Sequence, residues 1–329
     1  MRVLVTGGGG FLGGAVVRAL LARGDDVVSV ARGDYPELRA LGVRTVRGDL
    51  ADTSVALAAA DGCDAVVHVA AKAGIWGSAA DFERSNVAAT LSVLTACRSL
   101  GIARLVHTST PSVVHDGGHI EGGDESLPYA TSFSSDYPRT KAVAERAVLA
   151  ASGDALATVA LRPHLVWGPG DPQLTARILD RARSGRLRFV DGGDAVIDTT
   201  YVDDAASAHL CALDALAPGA ACAGRAYFIS SGDPRPVREI TNAILAAAGL
   251  PPETRSVPLR AAVAAGAAAE GAWRLLGRSD DPPMTRFLAH QLATAHWFDI
   301  SAARRDLGYV PQVGLDEGLR RLAVSLRAA

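Results

Sequence analysis

"RVLVTGGGGFLGGAVVRALLARG", residues 2–24, decides the fold. "RVLVTG" is a short β-branched run and reads as a strand. "FLGGAVVRALLARG" reads as a helix that stops at Gly24. Between them Gly7, Gly10 and Gly13 stand in the order G-x-x-G-x-x-G. Glycines there allow a tight turn, let backbone approach a pyrophosphate, and bring helix close to strand. Phe11 and Leu12 lie between the last two glycines and count with them as cofactor-contacting positions. The helix N-terminus adds free N–H groups and positive potential. A strand–glycine loop–helix at the start of the chain therefore predicts a nucleotide site.

The same alternation continues to about residue 165. "DVVSVAR", "VRTVRGD", "DAVVHVAA", "ARLVHTST" and "LATVALRP" read as strands. "ADTSVALAAADG", "DFERSNVAATLSVLTACRSLG" and "YPRTKAVAERAVLAAS" read as helices. Apolar strands alternating with helices imply a parallel sheet covered on both faces, and right-handed crossovers make it doubly wound. After "LRPHLVWGPGDP" Pro and Gly become denser, and "ILDRARSGRLRFV" and "REITNAILAAAGLPP" read as helices. The expected organisation is a Rossmann domain over 1–165, with the chain returning to it around 196–230. A smaller C-terminal α/β substrate lobe is expected from 166–195 and 231–329.

The 329 residues are enough for one large or two medium domains. A net charge of −2 gives no electrostatic case for nucleic acid or an anionic membrane. Cys63, Cys97, Cys211 and Cys222 form no CxxC pair, so neither a metal site nor a disulfide framework is expected. No signal peptide or transmembrane segment is read, and a reducing cytoplasm is the simpler inference. "LRAAVAAGAAAEGAWRLLG", residues 259–277, is too weakly hydrophobic to span a bilayer and reads as a packed helix or a docking helix.

"SSDYPRTKAVAER", residues 134–146, puts Tyr137 and Lys141 four positions apart on one helix face. Ser134, Ser135 and Asp136 can cap that helix, and Pro138 is tolerated in a first turn. An acidic residue ending the second strand would hold the ribose of NAD and repel the 2′-phosphate of NADP. Here "SVARGD" offers Ala31 and then Arg32, whose guanidinium suits a phosphate. NADPH is the expected cofactor, with NAD(H) as the alternative, because Asp34 lies close by.

These pieces together resemble the extended short-chain dehydrogenase/reductase superfamily over nearly the whole chain. The stretches that carry the resemblance are "TGGGGFLG", "GDL" at 48–50, "HVAA" at 68–71, Asn86, "HTST" at 107–110, "YPRTK", "LRP" at 161–163 and "YVDD" at 201–204. The resemblance implies that Asp49 and Leu50 bind adenine, that Ala70 and Ala71 line the cofactor, and that Pro163 sits near the nicotinamide. Within the superfamily the chain is similar to the 3β-hydroxysteroid dehydrogenase branch, and most to bacterial reductases of 2-alkyl-3-oxoalkanoates in olefin and β-lactone lipid pathways. The long C-terminal match "PPMTRFLAHQLATAHWFDISAARRDLGYVP" supports this. Nucleotide-sugar members place an arginine where this chain has Ile197, and dehydratases an Asp–Glu pair where it has Pro111 and Ser112.

The implied chemistry is ketone reduction. Tyr137 gives the proton, and Lys141 lowers the tyrosine's pKa and holds the ribose. Thr110 hydrogen-bonds the carbonyl oxygen, although "TST" also offers Ser109. Asn86 is expected to order its helix and a relay water. Trp76, His115, His164 and Trp167 are candidate pocket residues. The expected substrate is a small hydrophobic acyl or sterol molecule: a β-keto acid first, a hydroxysteroid second, a nucleotide sugar third. A homodimer, associated with other enzymes of a lipid pathway, is expected. A dinucleotide-sensing regulator without turnover is disfavoured, since such proteins lose the Tyr–Lys pair.

Overall fold

The computed structural model describes residues 1–74, 76–278 and 280–328. Ile75, within the "HVAAKAGIWG" stretch, lies outside them. The chain opens β1 (Arg2–Thr6), α1 (Phe11–Ala22), β2 (Asp26–Ala31), α2 (Pro36–Ala40), β3 (Arg44–Arg47), α3 (Thr53–Ala60) and β4 (Ala65–His68). It continues α4 (Ala79–Phe82), α5 (Ala89–Leu100), β5 (Arg104–Thr108), β6 (Ile120–Gly123), α6 (Asp136–Ala150) and β7 (Ala157–Pro163). Then follow β8 (Val166–Trp167), α7 (Leu174–Arg183), β9 (Phe189–Val190), β10 (Val196–Ile197), β11 (Thr200–Tyr201), α8 (Val202–Ala215) and β12 (Arg225–Ile229). The last elements are β13 (Arg235–Pro236), α9 (Val237–Ala247), β14 (Ser256–Val257), α10 (Leu259–Leu275), α11 (Arg286–Ala293), β15 (His296–Phe298), α12 (Ser301–Leu307) and α13 (Leu315–Ala328).

A seven-stranded parallel sheet in the order β12-β7-β5-β4-β1-β2-β3 forms the centre. Its inner strands are buried on both faces, as Val3, Leu4 and Val5 of β1 show. The order reverses on either side of β1, so a crevice opens beyond the strands' C-terminal ends, where open α/β sheets bind ligands. The edge strand β12 comes from late in the chain, and α8 packs against α1. A second, mixed sheet runs β13-β10-β15-β6. It brings β6, from the first half, beside β15, near the C-terminus.

Local details differ from the sequence reading for physical reasons. The helix expected through "ILDRARSGRLRFV" stops at Arg183, because Gly185 turns at φ +69° and Phe189–Val190 then pair with β14. Between α4 and α5 the chain runs as a π-helix over Glu83–Ala88. Such a turn inserts a residue into the ladder and re-aims the side chains around it, here Asn86. α10 buries only the stripe Ala262, Gly266 and Glu270, where a Cβ on Gly266 would stand 2.6 Å from the Thr285 carbonyl carbon. Leu275 and Leu276 at its end are exposed. No helix of the described residues is long and apolar enough to cross a membrane. The four cysteines are free.

Candidate functional site

The loop after β1 is a cradle that only glycine can form. Gly7 turns at φ +70°, its carbonyl accepts from Gly10 N–H at 2.9 Å, and a Cβ on Gly13 would stand 2.1 Å from that same oxygen. Beneath the loop the Ser29 hydroxyl is buried without a partner. An orphaned buried hydroxyl under a side-chain-free turn at a helix N-terminus fits a dinucleotide pyrophosphate. The wall beside it is built by Thr6, whose hydroxyl accepts from Ala70 N–H at 3.0 Å and meets His68 Nδ1 at 2.8 Å. That bond holds the end of β4, with Ala70 and Ala71, against the loop.

At the end of β2 Arg32 is exposed, and Arg47 of β3 donates to its carbonyl at 3.2 Å. Asp34, the residue that argued for NAD, is paired with Arg39. Its charge is thereby matched within its own turn, and the guanidinium holds its carboxyl below the usual range. Asp49 accepts from Ala51 N–H at 3.0 Å and from Arg84 Nε at 2.8 Å, and Leu50 is buried beside it.

The expected chemical group assembles at the C-terminal ends of β5 and β7. Ser135 takes the N-cap position of α6, yet its hydroxyl caps no amide of the first turn. Tyr137, Lys141 and Glu145 follow at four-residue intervals on one face. Tyr137 is half-buried, and loss of hydration raises its pKa, opposed only by the Thr110 hydroxyl. The neighbouring Ser109 hydroxyl is buried without a hydrogen-bond partner. Lys141 is buried, and its ammonium donates to the Thr108 carbonyl at 2.6 Å and to His107 Nε2 at 3.3 Å. Burial pulls it down to about 8, with Glu145 acting the other way.

Asn86 is held from two sides. Its amide oxygen accepts from Lys72 N–H at 2.8 Å, and its amide nitrogen donates to the Lys72 carbonyl and to Thr140 Oγ1. Both donors are thus spent on protein groups, and the residue ties the loop after β4 to α6.

The four expected pocket residues do not form one group. Trp167 is 2% exposed, donates to Thr199 Oγ1 and packs edge-on against Tyr201, so it is a core residue. Trp76 donates to the Arg278 carbonyl at 3.1 Å, bridging the loop after β4 to the end of α10. His115 and His164 do meet, through His296 of β15, a residue the sequence reading did not single out. Asp198 and His164 Nδ1 are 2.5 Å apart, His164 Nε2 and His296 Nδ1 3.1 Å, and His296 Nε2 and the Gln291 carbonyl 3.0 Å.

Sequence reasoning also missed the polar knot behind α6. Arg162 of β7 forks onto Glu145 at 2.6 and 3.1 Å, and Tyr129 donates to the same carboxylate at 2.7 Å. All that sequence offered was Glu145 four residues past Lys141 and Arg162 just before Pro163.

A parallel doubly wound sheet, a glycine cradle at its first turn and a Tyr–Lys helix over β5 define a dinucleotide-dependent oxidoreductase of the extended short-chain dehydrogenase/reductase kind. The chain belongs to the 3-beta hydroxysteroid dehydrogenase/isomerase family, whose model matches residues 4–259. It is 54% identical to the 2-alkyl-3-oxoalkanoate reductase of Stenotrophomonas maltophilia across the whole of both chains. It is 48% identical to the enzyme of that name from Shewanella oneidensis, over 99% of this chain and 86% of that one. It is also similar to the crystal structure of UDP-glucose 4-epimerase from Thermus thermophilus in complex with NAD, at 28% identity and a TM-score of 0.75 over the whole of both chains. Its cofactor is a nicotinamide dinucleotide.

Proposed function

We propose that this protein is a ketoreductase that uses NADPH to reduce the 3-oxo group of a hydrophobic 2-alkyl-3-oxoalkanoate to the 3-hydroxy acid. The observation that supports the reading is a buried Lys141 one helical turn from Tyr137 on α6, in a chain 54% identical to a reductase of that name. Tyr137 gives its phenolic proton to the carbonyl oxygen, and Thr110 donates a hydrogen bond to the same oxygen as charge develops. The cofactor supplies the hydride. Lys141 holds the ribose and keeps one positive charge beside the site. Gly7, Gly10, Phe11, Leu12 and Gly13 receive the pyrophosphate, Asp49 and Leu50 the adenine, and Ala70, Ala71 and Pro163 the nicotinamide side. Arg32, joined by Arg47, takes the 2′-phosphate, a reading supported by the pairing of Asp34 with Arg39.

Residues 166–195 and 231–329 supply the substrate lobe, and the protein works in the cytoplasm as a homodimer. The test is NADPH oxidation by purified protein with a 2-alkyl-3-oxo acid, set against a 3-oxosteroid and against NADH. Turnover of the steroid alone would overturn the acyl reading.

A further inference from the structure

His107 has no part in the chemistry set out above, yet it lies directly under Lys141. The Lys141 ammonium donates to the Thr108 carbonyl and to His107 Nε2, and both residues are almost wholly buried. The nearest carboxylate along the helix, Glu145, is taken by Arg162. An ammonium has three N–H groups and no lone pair. Nε2 is therefore the unprotonated nitrogen of His107, and the ring proton sits on Nδ1. That Nδ1 is buried and has no partner. A buried donor without an acceptor costs free energy. A phenylalanine would fill the same space without that cost, but it would lack the Nε2 lone pair.

The other groups facing this point offer no substitute. His68 of β4, with its ring 5.2 Å from that of His107, is engaged on both nitrogens by Thr6 and Thr90. His209 of α8 is engaged by Thr108 and the Ala205 carbonyl. Glu145 and Tyr137 of α6 and Arg162 of β7 complete the surroundings, with Glu145 bound to Arg162. Asn86 is occupied elsewhere. Burial holds His68 and His107 neutral, so neither repels the lysine.

We propose that His107 is a positioning residue for Lys141: its neutral Nε2 and the Thr108 carbonyl fix the charged ammonium beneath the cofactor site, leaving one N–H of three for the cofactor. The inference rests on the reading of Lys141 as a dinucleotide-binding residue. Its test therefore uses cofactor alone.

NADPH affinity is measured by fluorescence titration from about pH 6 to 10 for the wild type and for Lys141→Met, His107→Leu and His107→Gln. Wild-type affinity should fall as pH rises through about 8, where Lys141 loses its proton. The Lys141→Met profile should lack that fall. His107→Leu should move the fall about one pH unit lower, weakening binding at pH 9 roughly 10-fold. His107→Gln, which restores a lone pair, should return to within about 3-fold of wild type. A Leu variant with the wild-type midpoint, or a Gln variant no better than Leu, overturns the role of His107. A wild-type profile that matches Lys141→Met overturns the reading of Lys141, and this role with it. Nitrogen-15 spectra of histidine-labelled wild type give a check independent of the variants: His107 should carry its proton on Nδ1 throughout, and the opposite tautomer sinks the proposal.

Discussion

At Tyr137 burial raises the phenol's pKa, since a phenolate there loses its hydration, and only the Thr110 hydroxyl opposes this. A protonated phenol is the form needed to give a proton, so the environment suits reduction. Tyr137→Phe should lower kcat by about 10³-fold or more, within the range of a lost general acid plus its hydrogen bond, and leave NADPH affinity nearly unchanged. Steady-state kinetics beside a cofactor titration check this, and near wild-type kcat would sink the mechanism. Arg32 gives a second residue-scale prediction. Asp34 is already paired with Arg39, which leaves Arg32 and Arg47 at the end of β2 for the proposed 2′-phosphate. Arg32→Ala should raise KM for NADPH by roughly 10-fold, the scale of one charge-assisted contact, and barely touch NADH. Equal losses with both cofactors would make Arg32 structural.

Elements were legible where one strong signal sufficed. β1, the glycine loop and α1 follow from composition and order alone, and Gly13 shows why no other residue serves. Gly13→Ala must push a methyl into the Gly7 carbonyl, so cofactor binding should be lost while the sheet remains folded; an alanine variant with wild-type NADPH affinity contradicts this. α6 was legible as a helix, but what fixes it was not, because Glu145, Arg162 and Tyr129 come from separate segments that only folding joins. This pair is fully buried, so removing one partner strands a charge. Glu145→Gln should cost about 3–5 kcal/mol in a denaturant melt, and Glu145→Leu with Arg162→Met should recover most of it. A loss of under about 1 kcal/mol for the single change would mean that the pair is not what anchors the helix. The π-turn at Glu83–Ala88 escaped for the opposite reason: its residues are ordinary helix formers, and nothing in their order marks one extra residue per turn.

On the scale of the whole molecule, proximity was the hidden quantity. His115, His164, Asp198 and His296 share one array, yet His164 and His296 lie 132 positions apart in the chain and no spacing links them. Trp167 seemed equally fit to line a pocket, but Gly318 brings α13 onto it and closes it into the core. Ile197, beside Asp198, lies in that same core at 6% exposure. Where the nucleotide-sugar pattern has an arginine, this chain therefore offers a buried side chain with no donor, and desolvating a diphosphate there would be costly. On the proposed acyl reading, binding energy for the substrate comes mainly from apolar contact, at about 0.8 kcal/mol for each buried CH₂. Each added methylene should raise kcat/KM by roughly 3- to 4-fold until the pocket is full. Steady-state kinetics over a chain-length series of β-keto acids measure this, with UDP-glucose and UDP-galactose as challengers that should neither react nor compete. A flat series, or inhibition by either UDP-sugar at micromolar concentration, would mean that the cleft near Ile197 receives a phosphate after all, and the acyl reading would fall with it.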